Sequence, residues 1–197
     1  MRSSFHIALS AASILVAPAF AQSPPAVTTP APGPSVTAPS VVPGAPVAPL
    51  TDTDAQFVQT QTENNMAEFQ AAQLALQRSQ NQNVRNFAQK MITDHTYVQG
   101  TLNQIVQMHP NLPLPRTLTE QNQEMLEQLA QLNGPAFDRA YMNTMVQANS
   151  TMVGELNAQL TRGWDQHISA WVQNTRPILL QHSEVAQQVL ASLPPMG

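Results

Sequence analysis

From Val84 to Leu193 the apolar residues of this chain return at alternating steps of four and three, and that rhythm fixes the class of fold. Val84, Ala88, Met91, His95, Val98, Leu102, Ile105 and His109 form one such row. Met142, Val146, Asn149, Val153, Leu156 and Leu160 form a second, and Ile168, Val172, Thr175, Leu179, His182, Ala186, Val189 and Leu193 a third. A repeat near 3.5 residues keeps one stripe of an α-helix turned toward a near-parallel neighbour, crossing at a shallow left-handed angle. A fourth row is less regular. Phe57, Asn64, Glu68, Ala71 and Ala75 share a stripe that Met66, Phe69 and Leu76 widen. No strand-like alternation of useful length occurs.

Punctuation along the chain supports four long helices and a short one. Thr51 to Asp54 offers N-cap residues, and helix one runs from there to about Gln80. The Asn81-Gln82-Asn83 turn opens helix two, which ends near His109 and Pro110. A Pro-rich loop over Leu112 to Leu118 precedes a short helix from Thr119 to Gln131, with Thr119 as its N-cap. Asn133-Gly134-Pro135 stops that helix, since Gly suits a C-cap and Pro the first turn of the next helix. Helix three runs from Pro135 to about Thr161, Gly163 breaks the pattern, and helix four runs from Asp165 to about Ser192. The reading is an all-α, four-helix bundle with a short extra helix between helices two and three. Tight turns make helices one and two antiparallel neighbours, and likewise three and four. The 25-residue connection from Pro110 to Gly134 either turns back or crosses the length of the bundle, and crossing gives ferritin-like connectivity.

The first 50 residues read differently. Met1-Arg2-Ser3-Ser4, an apolar run from Ile7 to Ala17 and the small-residue pattern Ala19-Phe20-Ala21 make a secretory signal peptide over residues 1–21. The apolar run is too short to span a bilayer core, and no later segment is long and apolar enough to do so. Residues 22–50 carry nine prolines among Ala, Val, Ser and Thr, a composition that suits a disordered, extended linker. The bundle domain then occupies residues 51–197. The expectation is a periplasmic or secreted protein. With no Cys in the chain, neither a lipid anchor at the cleavage site nor disulfides are available, so the fold must rest on its apolar core. Roughly 145 residues after the linker suffice for one. The mature chain keeps seven basic residues against 12 acidic ones, a net charge of about −5, with no basic stripe. That excludes nucleic acid as a natural partner and leaves a cell-envelope protein or a second copy of the chain.

Each stripe contains a polar interruption: Glu68, His95, Asn149 and His182. A polar group in a helix core is costly unless it is satisfied. Glu68 and His95 each lie about 14 residues from the turn around Gln82, and Asn149 and His182 lie 14 and 19 from Gly163. Antiparallel packing is therefore expected to bring each pair to about one level. One carboxylate and two imidazoles suit a mononuclear zinc or iron site held by Glu68, His95 and His182. Asn149 is a poor ligand, and the paired Glu-x-x-His motifs of di-iron bundles are absent. The favoured alternative is a buried hydrogen-bond network in which Glu68 accepts from one His and Asn149 bridges the rest. Asp94 supports a neighbouring ligand, or pairs with Lys90 one turn back, or faces solvent. His109 reads as a capping or surface residue, Asp165 as an N-cap and His167 as exposed. Met142, Met145 and Met152 share a face of helix three. Thioethers bind Cu(I), but Met at helical spacing is core filling far more often. Phe137, Tyr141, Trp164 and Trp171 are expected at the bundle ends with their polar atoms near water. No catalytic set is identified. An enzymatic role would require an open pocket reaching the polar cluster.

Phe57, Glu68, Leu74-Ala75, Val84, Phe87-Ala88, Met91 and Asp94-His95, followed by Phe137-Asp138 with Tyr141 and by Pro177 with His182, stand in an order that resembles the bacterial exported family called domain of unknown function 4142. The resemblance covers Thr51 to Leu193. It implies a ferritin-like helical bundle with the crossover connection, and it implies a fold more than a function. Members commonly place a His in helix three where this chain has Asn149. The function expected is a non-enzymatic binding or structural role in the cell envelope. The alternative is mononuclear metal binding in the bundle core.

Overall fold

A computed structural model describes residues 48–162 and 165–195. The expected signal peptide, nearly all of the expected Pro-rich linker, and Trp164 lie outside the described residues. Five helices are present and no strand among the described residues: α1 (Asp52–Arg78), α2 (Gln82–Met108), α3 (Glu120–Ala130), α4 (Gly134–Arg162) and α5 (Gln166–Ser192). Their ends are set by the residues the sequence offered. Thr51 accepts from Asp54 N, Asn81 from Asn83 N and Val84 N, Thr119 from Asn122 N, and Asp165 from His167 N and Ile168 N. Each cap satisfies backbone donors that have no partner inside the helix, worth about 1 kcal/mol apiece. Gly134 has φ +55°, a conformation a side chain would strain, and Pro135 follows in the first turn of α4. No described helix is long and apolar enough to cross a membrane.

Contacts between helix ends define the topology. Gln159 near the end of α4 donates to Asp54 at the start of α1 at 2.5 Å. Arg78 at the end of α1 donates to Asn133 just before α4. Arg139 early in α4 reaches the carbonyls of Leu193 and Pro194 past the end of α5. Thus α2 ends where α4 also ends, and the connection over residues 109–133 crosses the length of the bundle, carrying α3 with it. This is the ferritin-like arrangement, with α1 packed on α2 and α4, and α5 on α4 and α2. Glu63 fastens the crossing chain to α1, its Oε1 accepting from Thr119 N, Thr119 Oγ1 and Asn122 Nδ2 at 2.7–3.0 Å.

The core is two apolar clusters stacked along the bundle axis. One, toward the α3–α4 turn, contains Phe87, Met91, Leu129, Phe137, Tyr141 and Met142 against the small Ala71, Ala72 and Ala75 of α1. The other, toward the start of α1, contains Val58, Leu102, Met152, Leu156, Trp171 and Leu179. Each large aliphatic side chain fully buried here contributes about 1.5–3 kcal/mol. Glu68, His95, Asn149 and His182 belong to neither cluster.

Several expected stripes need correction. The α2 and α5 rows match the buried faces with Phe87 and Trp171 added, except that His109 and Val189 are half-buried. In α4, Leu160 is exposed and Val146 and Val153 are only half-buried, while Met145 and Met152 fill the core. Because α1, α3 and α5 all pack on α4, its buried face is broader than a single seam. In α1, Val58, Gln61, Thr62 and Asn65 are buried, whereas Asn64, Met66 and Phe69 are half-buried.

Candidate polar centre

Four helices contribute to one polar layer. Asn65 and Glu68 come from α1, Asp94 and His95 from α2, Asn149 from α4 and His182 from α5. Glu68 is 3% exposed, and His95, Asn149 and His182 are fully buried. The contact of Ser150 with Ser183 sets Asn149 level with His182, and the Asp94–His182 bond sets His182 level with His95.

The outer nitrogen of each imidazole is held by an acceptor. His95 Nδ1 faces Asn65 Oδ1 at 2.6 Å. Asn65 Nδ2 donates to the His95 carbonyl and to Gln99 Oε1, which fixes the amide's orientation and makes its oxygen the acceptor. His182 Nε2 donates to Asp94 Oδ2 at 2.7 Å, and the same oxygen accepts from Lys90 Nζ at 2.7 Å. Burial holds the His182 imidazole below its ordinary value, against the opposing pull of the Asp94 hydrogen bond. Burial also pushes the Asp94 carboxyl up, but hydrogen bonds from His182 and Lys90 outweigh it and hold Asp94 below its ordinary value. The two rings lie 5.3 Å apart between centroids, tilted by 31°.

The inner atoms are left without partners. His95 Nε2 stands 2.8 Å from Glu68 Oε2, yet off the hydrogen-bonding direction. Among the described residues, His95 Nε2, both Glu68 oxygens, His182 Nδ1, Asn149 Oδ1 and Tyr141 OH are buried with no hydrogen-bond partner. With Nδ1–H given to Asn65, a neutral His95 presents a lone pair at Nε2. A lone pair and a carboxylate oxygen at 2.8 Å repel unless a proton or a cation serves both. Tyr141 stacks on Phe137, and burial, then the nearby Glu68, drive its phenol well above its ordinary value.

The expected bridging by Asn149 does not occur. Its amide donates to Met145 O one turn back on its own helix, where the ladder competes for the side chain. Tyr141 and Trp171 also differ from expectation. Both are buried, and Trp171 Nε1 donates to Val98 O instead of reaching water. His109 does cap α2. Asp94 pairs with Lys90 and supports His182 at once. Among the described residues, no three His, Asp or Glu side chains are placed to hold one ion between them.

The polar atoms of the centre are buried, but the Glu68 side chain also forms part of the wall of an open groove. A groove of about 420 Å³ between α1, α3 and α4 has Glu68 in its wall, together with Glu63, Asn64, Met145, Met152 and Glu155. The chain-crossing segment makes this groove, because α3 stands across the α1–α4 seam with Thr119, Asn122 and Met125 on its rim.

Comparison with known proteins agrees with this architecture. Residues 40–189 match the model of the family described as Domain of unknown function (DUF4142), and the chain belongs to that family. No curated protein matches it. Among solved structures the chain is similar to a DUF305 fragment from Deinococcus radiodurans. The TM-score is 0.66 at 16% identity, over 74% of this chain and all of the fragment. At that identity the likeness concerns the fold alone.

Proposed function

We propose that this DUF4142-family chain is an exported, non-enzymatic binding protein of the bacterial cell envelope, and that its ligand is received at Glu68. Export is supported by the N-terminal pattern of charge, apolar run and small-residue cleavage site. Binding is supported above all by one observation: Glu68 is a buried carboxylate with neither oxygen hydrogen-bonded among the described residues, lying beside His95 and just beneath the wall of an open groove that its side chain lines. An unpaired buried polar atom costs about 1–3 kcal/mol, and a charged one more. A core selected for stability alone has no use for such a residue. The test is differential scanning fluorimetry of the untagged protein and of Glu68→Gln against a panel of envelope metabolites and metal ions. A ligand that raises the wild-type melting temperature and leaves the variant unmoved supports the reading. A panel that shifts both proteins equally would remove it.

A second reading has its own support. In metal-binding histidines the nitrogen away from the ion is held by a carboxylate or carbonyl. His95 and His182 have that arrangement through Asn65 and Asp94, with His95 Nε2 and His182 Nδ1 left free. Glu68 and His95 would take a zinc or iron ion first, and His182 would complete the set by a side-chain shift. Elemental analysis of protein purified without a His-tag separates the cases. One metal per chain, lost in His95→Ala, favours the ion. No metal, with a large loss of stability in the same variant, favours a structural network.

A further inference from the structure

We infer that the groove between α1, α3 and α4 is a site for a protonated alkylamine, a small organic cation with an aliphatic body. This rests on the reading of Glu68 as a ligand-facing residue and names the class of ligand.

Charge comes first. Glu63, Glu68 and Glu155 line the groove, and among the described residues no Lys, Arg or His lines it. Among the described residues, no Lys or Arg pairs with any of the three. Their hydrogen bonds come from neutral groups. Glu155 Oε2 accepts from the amides of Gln61 and Asn64, at 2.7 and 3.1 Å. Glu63 Oε1 takes the three bonds from Thr119 and Asn122. In both residues one oxygen takes all these bonds, so Glu155 Oε1 and Glu63 Oε2 remain for a ligand. Glu68, 3% exposed, lines the groove with both oxygens buried beneath its surface and without a hydrogen bond, so it adds to the groove's negative field and meets a guest through a side-chain shift. Three negative charges around one concavity without a compensating cation make a strong local field for a positive guest.

Shape and surface then select among cations. Glu63 and Glu68 are five residues apart on α1, about 7.5 Å along its axis, and Glu155 stands on the facing helix. The carboxylates are spread along the groove, and among the described residues no three acidic or imidazole groups converge on a point. A single small ion would meet one of them; an extended guest meets more. Between them lie the unbranched thioether side chains of Met125, Met145 and Met152. Such side chains adapt to an aliphatic chain without a fixed shape of their own. The cavity of about 420 Å³ is within the range of small-molecule sites. An alkylamine, like a Lys side chain, stays protonated at neutral pH and brings three N–H donors to carboxylate acceptors.

The test is isothermal titration calorimetry on the mature chain, untagged and with EDTA present, using hexylammonium and hexan-1-ol as probes of equal length that differ in charge. The expected result is saturable binding of hexylammonium at one site, with hexanol weaker by about tenfold or more. Glu155→Gln, at the half-buried wall, and Glu68→Gln are each expected to weaken hexylammonium by about tenfold. Glu184→Gln, an equal change of charge on the exposed face of α5, is expected to leave it unchanged. Circular dichroism of each variant confirms folding. The inference is overturned if hexylammonium does not bind, if hexanol binds equally well, or if both groove variants bind like the wild type. If it is overturned while zinc binds the EDTA-free protein stoichiometrically and is lost in Glu68→Gln, binding at Glu68 stands and only the ligand class falls. If neither probe nor zinc binds, the alkylamine inference falls, and the binding reading falls with it when the metabolite and metal panel also shifts wild type and Glu68→Gln equally.

Discussion

Replacing Glu68 by Gln should make the ligand-free protein more stable, which is unusual for a change at a residue 3% exposed. The expectation comes from the partners around it. Neither carboxylate oxygen has a hydrogen bond among the described residues, nor does His95 Nε2, which is 2.8 Å away. His95 gives its Nδ1 proton to Asn65, so in the neutral ring Nε2 is an acceptor. A carboxylate offers it nothing, whereas the amide nitrogen of Gln, once turned onto the Nε2 axis by a small side-chain rotation, donates to it. The substitution therefore removes an uncompensated charge and satisfies one buried nitrogen, leaving the amide oxygen as the remaining orphan. Correcting one such buried group is worth roughly 1–3 kcal/mol. In a domain of this size each kcal/mol moves the melting temperature by about 2–4 °C, so the rise should be on the order of 3–10 °C. The assay is thermal unfolding by circular dichroism at pH 8, with EDTA, wild type beside Glu68→Gln. A fall of several degrees in the variant would refute the reasoning, because it would mean that the contact with His95 is a stabilising ion pair.

Other expectations concern the neighbours. His182 has a folded-state value held below its ordinary 6.5, so the unfolded chain binds that proton first. Its contribution is whole above pH 6.5 and is lost as pH falls toward the folded value, with Asp94 adding a second loss below its ordinary 3.8. Urea midpoints should drop from pH 7.5 to 5.5 in the wild type and drop less in His182→Asn. Asp94→Ala strips the acceptor from His182 Nε2 and should cost about 1.5–3 kcal/mol in urea unfolding, the range for hydrogen bonds to charged groups. Glu63→Ala should cost roughly 1–3 kcal/mol and act locally. Hydrogen exchange over Glu120–Ala130 should quicken while the amides of α2 hold their protection.

Helix count, order and caps were legible in the sequence because each rests on local chemistry. Thr51, Asn81, Thr119 and Asp165 cap wherever their neighbours permit it. The rows of α2 and α5 were legible for a related reason, since their buried faces are narrow and strongly apolar. The face of α4 was not, because α3 lies against it in addition to two long helices, and no periodicity announces a third neighbour. Glu68, His95 and His182 stood out as polar breaks in apolar stripes. Asn65 did not, being one of two adjacent asparagines in a polar stretch, and a one-residue choice there decides which amide meets His95. The phenol of Tyr141 was misplaced because an aromatic near a helix start fits either a wet end or a dry interior. Pairing by side-chain reach, which joins Asp94 rather than Glu68 to His182, depends on rotamers that spacing alone does not specify.

The crossing connection also has a kinetic consequence. The two helical hairpins, α1–α2 and α4–α5, each have only three residues between their helices, so each is made of contacts between residues near in sequence and should form early. Asn65, Glu68 and His95 all belong to the first hairpin and meet before the second has docked. His182 arrives only when the second hairpin closes against Asp94, after a long segment has been threaded from one end to the other. Four of the six residues of the polar centre, Asp94 included, are thus assembled as a local unit, and its completion reports the slowest event in folding.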